Sequence, residues 1–183
     1  MTNFSKILLA VFFFGITFTL ATQKKLLKIV TTQTIEVSKT ETYDLLRNFE
    51  RFPEWSPFVV ADPKQKNHVT GNVGQVGSAF HWEGVAEESQ GTQTLVAVEG
   101  KEYLKMECNI TKPFEDQPIF EYQINETENG VAVVQNFELK CSGFSYFMMT
   151  LFGVKKQIAE INELGLVRLK TLLEKEAKLI TSK

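Results

Sequence analysis

Few residues of this 183-residue chain are of types that do chemistry, and their spacing narrows the choice further. It has two histidines and two cysteines. Two histidines exclude a His-rich metal centre, and two cysteines exclude a cysteine-rich zinc module or a disulfide-dense scaffold. His81-Trp82-Glu83 has the H-x-E opening of a zinc deaminase, but no P-C-x-x-C follows it. Gly71, Gly74 and Gly77 have the rhythm of a phosphate loop without the G-K-[ST] ending or a following helix pattern, so they read as hairpin glycines. H-E-x-x-H, G-x-S-x-G and S-x-x-K do not occur. What remains is a set of uncharged polar groups within apolar strands. Tyr122 and Gln135 could orient a carbonyl or move a proton on it, with Glu83 joining them only if its strand bulges before Gly84. No metal ligand set and no catalytic acid–base pair is read from the spacing.

The elements that must position these groups follow from periodicity. Leu26–Val37 alternates and is β-branched, which predicts a strand. Ser38-Lys39-Thr40-Glu41 is a capping box and starts a helix that carries Tyr43, Leu45, Leu46 and Phe49 inward and ends before Pro53. Phe52–Phe58 reads as a rigid turn holding three aromatics. Six short strands follow: His68–Asn72, Val76–Gly84, Gly91–Glu99, Glu102–Thr111, Ile119–Asn125 and Val131–Cys141. Glu128-Asn129-Gly130 is a hairpin signal between the last two.

Alternation then assigns faces. Leu104, Met106, Cys108 and Ile110 oppose Lys105, Glu107 and Asn109. Phe120, Tyr122 and Ile124 share the apolar face with Val133, Gln135, Phe137 and Leu139, so the sheet is covered on one side. The cover is Val154–Ile180, whose helical stripe includes Ile158, Ile161, Leu164, Gly165, Leu169, Leu173 and Ile180. Gly165 is expected where that helix comes close to the sheet. Cys108 and Cys141 sit on strands either side of Ile119–Asn125, about 9.5 Å apart, too far for a disulfide.

Charge and the N-terminus bear on partners. Twenty basic against 22 acidic residues give a net charge of −2, which argues against a nucleic-acid-binding protein. Ile7–Ala21 is an uncharged apolar run, with Lys6 before it and Lys24, Lys25 and Lys28 after it. At about 1.5 Å per residue it spans ~22 Å as a helix, short of a ~30 Å hydrocarbon core unless the bilayer thins. It reads either as a single membrane anchor or as a secretory signal cleaved near Ala21. Residues 1–25 are therefore set apart from a domain over 26–183.

Three segments together resemble a known family: N-F-E-R-F-P-E-W-S-P-F at Asn48–Phe58, V-G-S-A-F-H-W-E-G at Val76–Gly84, and N-E-L-G-L-V-R-L-K-T-L-L-E at Asn162–Glu174. They are similar to the SRPBCC superfamily, nearest its polyketide cyclase/dehydrase-like branch. The resemblance implies the α+β helix-grip fold of START domains and the birch pollen allergen, a curved antiparallel sheet of about seven strands around a long C-terminal helix. It also implies a cavity between sheet and helix. No cofactor is expected. Trp55, Phe80, Trp82, Met106, Tyr122, Gln135, Phe137 and Phe147 are the candidates to line it, against the alternative that such residues simply fill a core. Phe144–Gly153 reads as a gate, a membrane or partner patch, or a segment buried under the sheet. The expected function is binding or transfer of a hydrophobic small molecule or lipid at a membrane. The alternatives are a cyclase/dehydrase-like enzyme and a partner-binding domain with a filled core.

Overall fold

The computed structural model describes residues 23–85 and 88–182. The apolar run Ile7–Ala21, expected to be an anchor or a signal, lies outside them. Among the described residues no helix is long and apolar enough to cross a membrane.

Seven strands form one antiparallel sheet: β1 (Lys24–Ile35), β2 (Lys66–Thr70), β3 (Ala79–Glu83), β4 (Gln90–Glu99), β5 (Tyr103–Lys112), β6 (Ile119–Thr127) and β7 (Gly130–Ser142), in the order β1-β7-β6-β5-β4-β3-β2. Hairpins connect β2 through β7 in sequence, and β1 closes the far edge by pairing with β7 along its whole length. β4 shifts register twice against β5, at Gln90/Gly91 and Leu95/Ala97, and such bulges bend a sheet. The strands lie where alternation puts them, with ends displaced by up to three residues.

Helix α1 (Lys39–Leu46) starts on the expected capping box: Ser38 accepts from the Glu41 N–H while the Glu41 carboxylate accepts from the Ser38 N–H. It stops at Leu46, well before Pro53. The segment expected to be a rigid turn instead holds two helical pieces, α2 (Phe52–Trp55) and α3 (Pro57–Ala61). Each has a proline in its first turn, where the missing N–H has no intrahelical role. Pro53 and Pro57 therefore start helices here rather than end them.

Helix α4 (Gly143–Leu151) follows β7 directly, and Ser142 caps it by accepting from the Ser145 N–H. Gly153, at φ 69°, turns the chain into the long α5 (Val154–Thr181). The buried stripe of α5 is Asn162, Leu166, Leu169 and Leu173. Ile161, Leu164 and Ile180, assigned inward from the sequence, are exposed, because that assignment took in more than one face of the helix. Gly165 faces not the sheet but α3: a Cβ there would lie 3.4 Å from Pro57 Cδ. The inner face of the sheet, the stripe of α5 and the aromatics of α1 and α2 form a single core.

Close approach is demanding at Gly91. A Cβ there would meet the Trp82 ring at 2.5 Å and the Asn109 carbonyl oxygen at 2.6 Å, and the second is backbone that cannot swing away. Gly91→Ala is expected to cost about 1–3 kcal/mol, as overpacking does. Urea denaturation reads this as a lower midpoint with an unchanged slope.

Candidate functional site

Aromatic residues of α2 meet the middle of the sheet. Phe52 stands edge-on to Trp55 at 4.9 Å and to Phe80 at 5.0 Å, and Phe80 leans on Phe49. Two arginines tie α2 to α5. Arg51, just before α2, pairs with Glu54 of α2 and with Glu176 of α5. Hydrogen bonds to Glu54 and Glu176 push the Arg51 guanidinium above its ordinary range, and the bond to Arg51 draws the Glu54 carboxyl down. Arg168 donates to the carbonyl oxygens of Trp55 and Glu54 at 3.2 and 3.1 Å, satisfying the end of α2. Trp55 is thus fixed through its backbone, with its indole turned inward.

Beneath Trp55 a cavity of about 20 Å³ remains between the sheet, α2, α3 and α5. That is room for about one water molecule. Its walls are aromatic and aliphatic (Phe52, Trp55, Pro57, Phe58, Phe120, Ile161), with four polar side chains among them: Gln93, Tyr122, Gln135 and Asn162. Phe58 and Ile161 are part-exposed and mark its mouth. The polar residues come from β4, β6, β7 and α5, with Tyr122 and Gln135 directly opposite each other across β6 and β7.

Hydrogen bonding on this wall is incomplete. Among the described residues Gln93 Nε2 donates only to the weak acceptor Met106 Sδ, at 3.0 Å. Trp55 Nε1 and Asn162 Nδ2 are buried and have no partner among the described residues. Each such orphan costs about 1–3 kcal/mol. Both belong to residues that line this one cavity, and the Ser56 and Ser78 hydroxyls are likewise buried without a partner among the described residues.

Of the eight residues singled out in the sequence, Trp55, Tyr122 and Gln135 border this cavity. The other five do not. Phe80 and Met106 are buried beside it, and Phe137 packs edge-on against Phe120 at 5.2 Å. Trp82 covers Gly91 and donates to Ser89 Oγ at 3.1 Å. Phe147 is half-exposed on α4. Glu83 stays in unbroken register opposite Gln90 and is exposed, so the bulge that would have turned it inward is absent. Two polar wall residues escaped the sequence reading. Gln93 keeps phase with Gly91 and Leu95, the same signal that exposed Gln135. Asn162 falls four residues from Ile158 and from Leu166, a polar residue in an apolar stripe.

Two titratable groups of the interior, one of them on the cavity wall, are held neutral. Burial raises the Cys108 thiol to about 12, and burial also pushes the Tyr122 phenol far above its ordinary value. Both are protonated near neutrality. Both cysteines are free. Among the described residues, no cluster of His, Cys, Asp or Glu side chains could hold a metal ion.

The chain matches the family described as polyketide cyclase / dehydrase and lipid transport over residues 27–174. It belongs to that family. The fold is the SRPBCC helix-grip fold, and solved structures repeat it at low identity. A Staphylococcus aureus protein of unknown function superposes with TM-score 0.65 at 13% identity, covering 85% of this chain and 98% of that one. The di-domain aromatase/cyclase StfQ from the steffimycin biosynthetic pathway gives 0.64 at 11%, covering 84% of this chain and 52% of its own. A point mutant of norcoclaurine synthase from Thalictrum flavum, in complex with a transition-state analogue, gives 0.59 at 10%, covering 85% and 97%. No curated protein matches the chain by sequence.

His81, from the H-x-E triplet, belongs to the outer face. Its ring stacks on His68 at 4.6 Å, and its two nitrogens pair with Thr70 and Thr92 at 2.8 and 3.0 Å. Partial burial first, and then the charge of His68, draw its pKa below the ordinary value. A base so depressed takes up its proton more readily when unfolded. Its contribution to stability is therefore complete above about pH 6.5 and falls as pH drops through that value. Urea midpoints at about pH 7.5 and about pH 5 should differ less in His81→Gln than in the native chain.

Proposed function

We propose that this domain binds a small, mostly apolar molecule between the sheet and α5. One oxygen-bearing end of that molecule would accept hydrogen bonds from Trp55 Nε1 and Asn162 Nδ2. The observation that carries this reading is the pair of buried, unpartnered N–H donors on residues that line one aromatic cavity. Membership of a family whose description includes cyclases and lipid transport supports a hydrophobic ligand. The apolar run Ile7–Ala21 supports attachment to a membrane.

At about 20 Å³ the cavity must widen to take such a ligand. The element to move is α3: none of its five residues is buried, and Phe58 at the mouth belongs to it. A short, weakly packed segment opens at lower cost than the strands behind it. Carriage rather than catalysis is favoured by the chemistry of the wall. Its one titratable residue is Tyr122, whose phenol stays protonated and can donate to a carbonyl but not abstract a proton.

Native mass spectrometry of the full chain, extracted from its membrane fraction in mild detergent, tests the reading. A ligand-sized mass that leaves on collisional activation is the expected result. A bare chain in every preparation, with no rise in melting temperature on adding oleic acid or a flat aromatic ketone, would overturn it.

A further inference from the structure

Helix α4 carries a face that the site does not use. From Cys141 to Val154 the sequence has no charged residue. Tyr146 and Met149 pack against the core, while Phe144, Phe147 and Leu151, spaced three and four residues apart, point outward at 49%, 52% and 63% exposure. Phe152, just beyond the helix, is 65% exposed. Three phenylalanines and a leucine in one exposed row cost solubility unless something apolar covers them.

Two observations identify what covers it. The first is where the apolar N-terminal run joins the fold. Lys24 pairs with Ser142, and the Gly143 N–H donates to the Gln23 carbonyl oxygen at 2.6 Å. The chain from Ile7–Ala21 therefore enters the domain at the first residue of α4, two residues after the run ends. The second is charge. Lys24, Lys25, Lys140, Lys155 and Lys156 flank the two ends of the α4 segment in sequence and pairing and are all exposed. Of these, Lys156 lies 3.6 Å from a carboxylate, Glu160.

We infer that α4 is the membrane-contacting face of the domain. Its aromatic row lies in the headgroup–acyl boundary of an anionic bilayer, beside the anchored N-terminal run, with the lysines at the phosphate level. A short apolar face and a basic collar each bind a bilayer weakly; beside a tether they act at high effective concentration. This rests on the membrane attachment proposed above. It adds an orientation, with the β1–β7 edge and α4 down.

The test uses the full chain on vesicles of phosphatidylcholine with one-fifth phosphatidylglycerol, some carrying bromine on the acyl chains. Phe147→Trp reports on α4, and Val76→Trp, in the β2–β3 connection across the sheet, is the control. Flotation first establishes attachment. The expected result is a chain that floats, with fluorescence of Phe147→Trp quenched several-fold more than that of Val76→Trp. Protection of residues 143–152 from hydrogen exchange on these vesicles is expected alongside. If the chain floats but the two tryptophans are quenched alike, α4 faces water or protein and the inference is overturned, with attachment left standing. If the chain does not float, the attachment reading fails and this one with it.

Discussion

Trp55→Ala is expected to lose about 3–5 kcal/mol of stability, the largest effect of any single truncation at this site. The indole is 3% exposed and stands edge-on against Phe52, so its removal costs both transfer free energy and the contacts of its neighbours. Arg168 holds the backbone of Trp55 to α5, which limits how far the surroundings can collapse into the space. The hole would then merge with the existing cavity and take an aromatic ring. Millimolar indole should raise the melting temperature of the variant and leave the native protein unchanged. Trp55→Phe separates the two roles of the side chain. It keeps most of the packing and deletes an N–H that has no partner, so it should cost less than the lost volume alone implies. A loss below about 1 kcal/mol for the alanine variant, or no response to indole, would mean that the ring is not an anchor of the wall.

The outline of this wall follows from period-two alternation on β5, β6 and β7, because a strand buried on one face leaves no freedom about which residues point inward. Tyr122, Gln135, Phe137 and Met106 are placed inside by that rule alone. Capping chemistry is equally local, so Ser38 and Glu41 announce α1 without reference to the rest of the chain. What alternation cannot give is how the second layer sits. Pro53 reads as a stop when only the preceding helix is considered, yet each proline of this segment serves as a start once α2 and α3 pack on α5. Gly165 reads as an approach to the sheet because the sheet is the obvious neighbour, but Pro57 is the atom it clears. Cavity size is further out of reach. The number of large inward residues suggests a roomy interior, whereas Phe49, Phe52 and Phe80 interlock and the cavity beside them has space for about one water molecule.

The small volume and the unpartnered donors make sense together as a closed state of a binding site. A core under selection for stability alone would replace Asn162 and Gln135 with apolar residues, since partly satisfied polar groups are worse than none. A site that must hold a polar end of a ligand keeps them and accepts the loss when closed.

Asn162→Leu puts that statement to the test, and its expected effect on the empty protein is a gain. The residue is 5% exposed, lies in the stripe of Leu166, Leu169 and Leu173, borders the cavity, and has the branched shape of leucine, which is the larger of the two. The substitution deletes an orphan donor worth about 1–3 kcal/mol and improves helix propensity by a few tenths of a kcal/mol. The midpoint of urea unfolding should therefore rise. Ligand binding should move the other way, by tenfold or more, because about 1.4 kcal/mol of differential interaction is one decade in affinity. Greater stability with weaker binding is the signature of a polar group retained for function. If the variant and the smaller Asn162→Ala, which cannot overpack, are both destabilised, Asn162 is satisfied by something within the fold, and the cavity loses the feature that marks it as a site. If the variant is stabilised and binding is unchanged, the polar end of the ligand lies against Tyr122 and Gln135. Substituting Gln135→Leu, on the opposite wall, would then reproduce the missing loss.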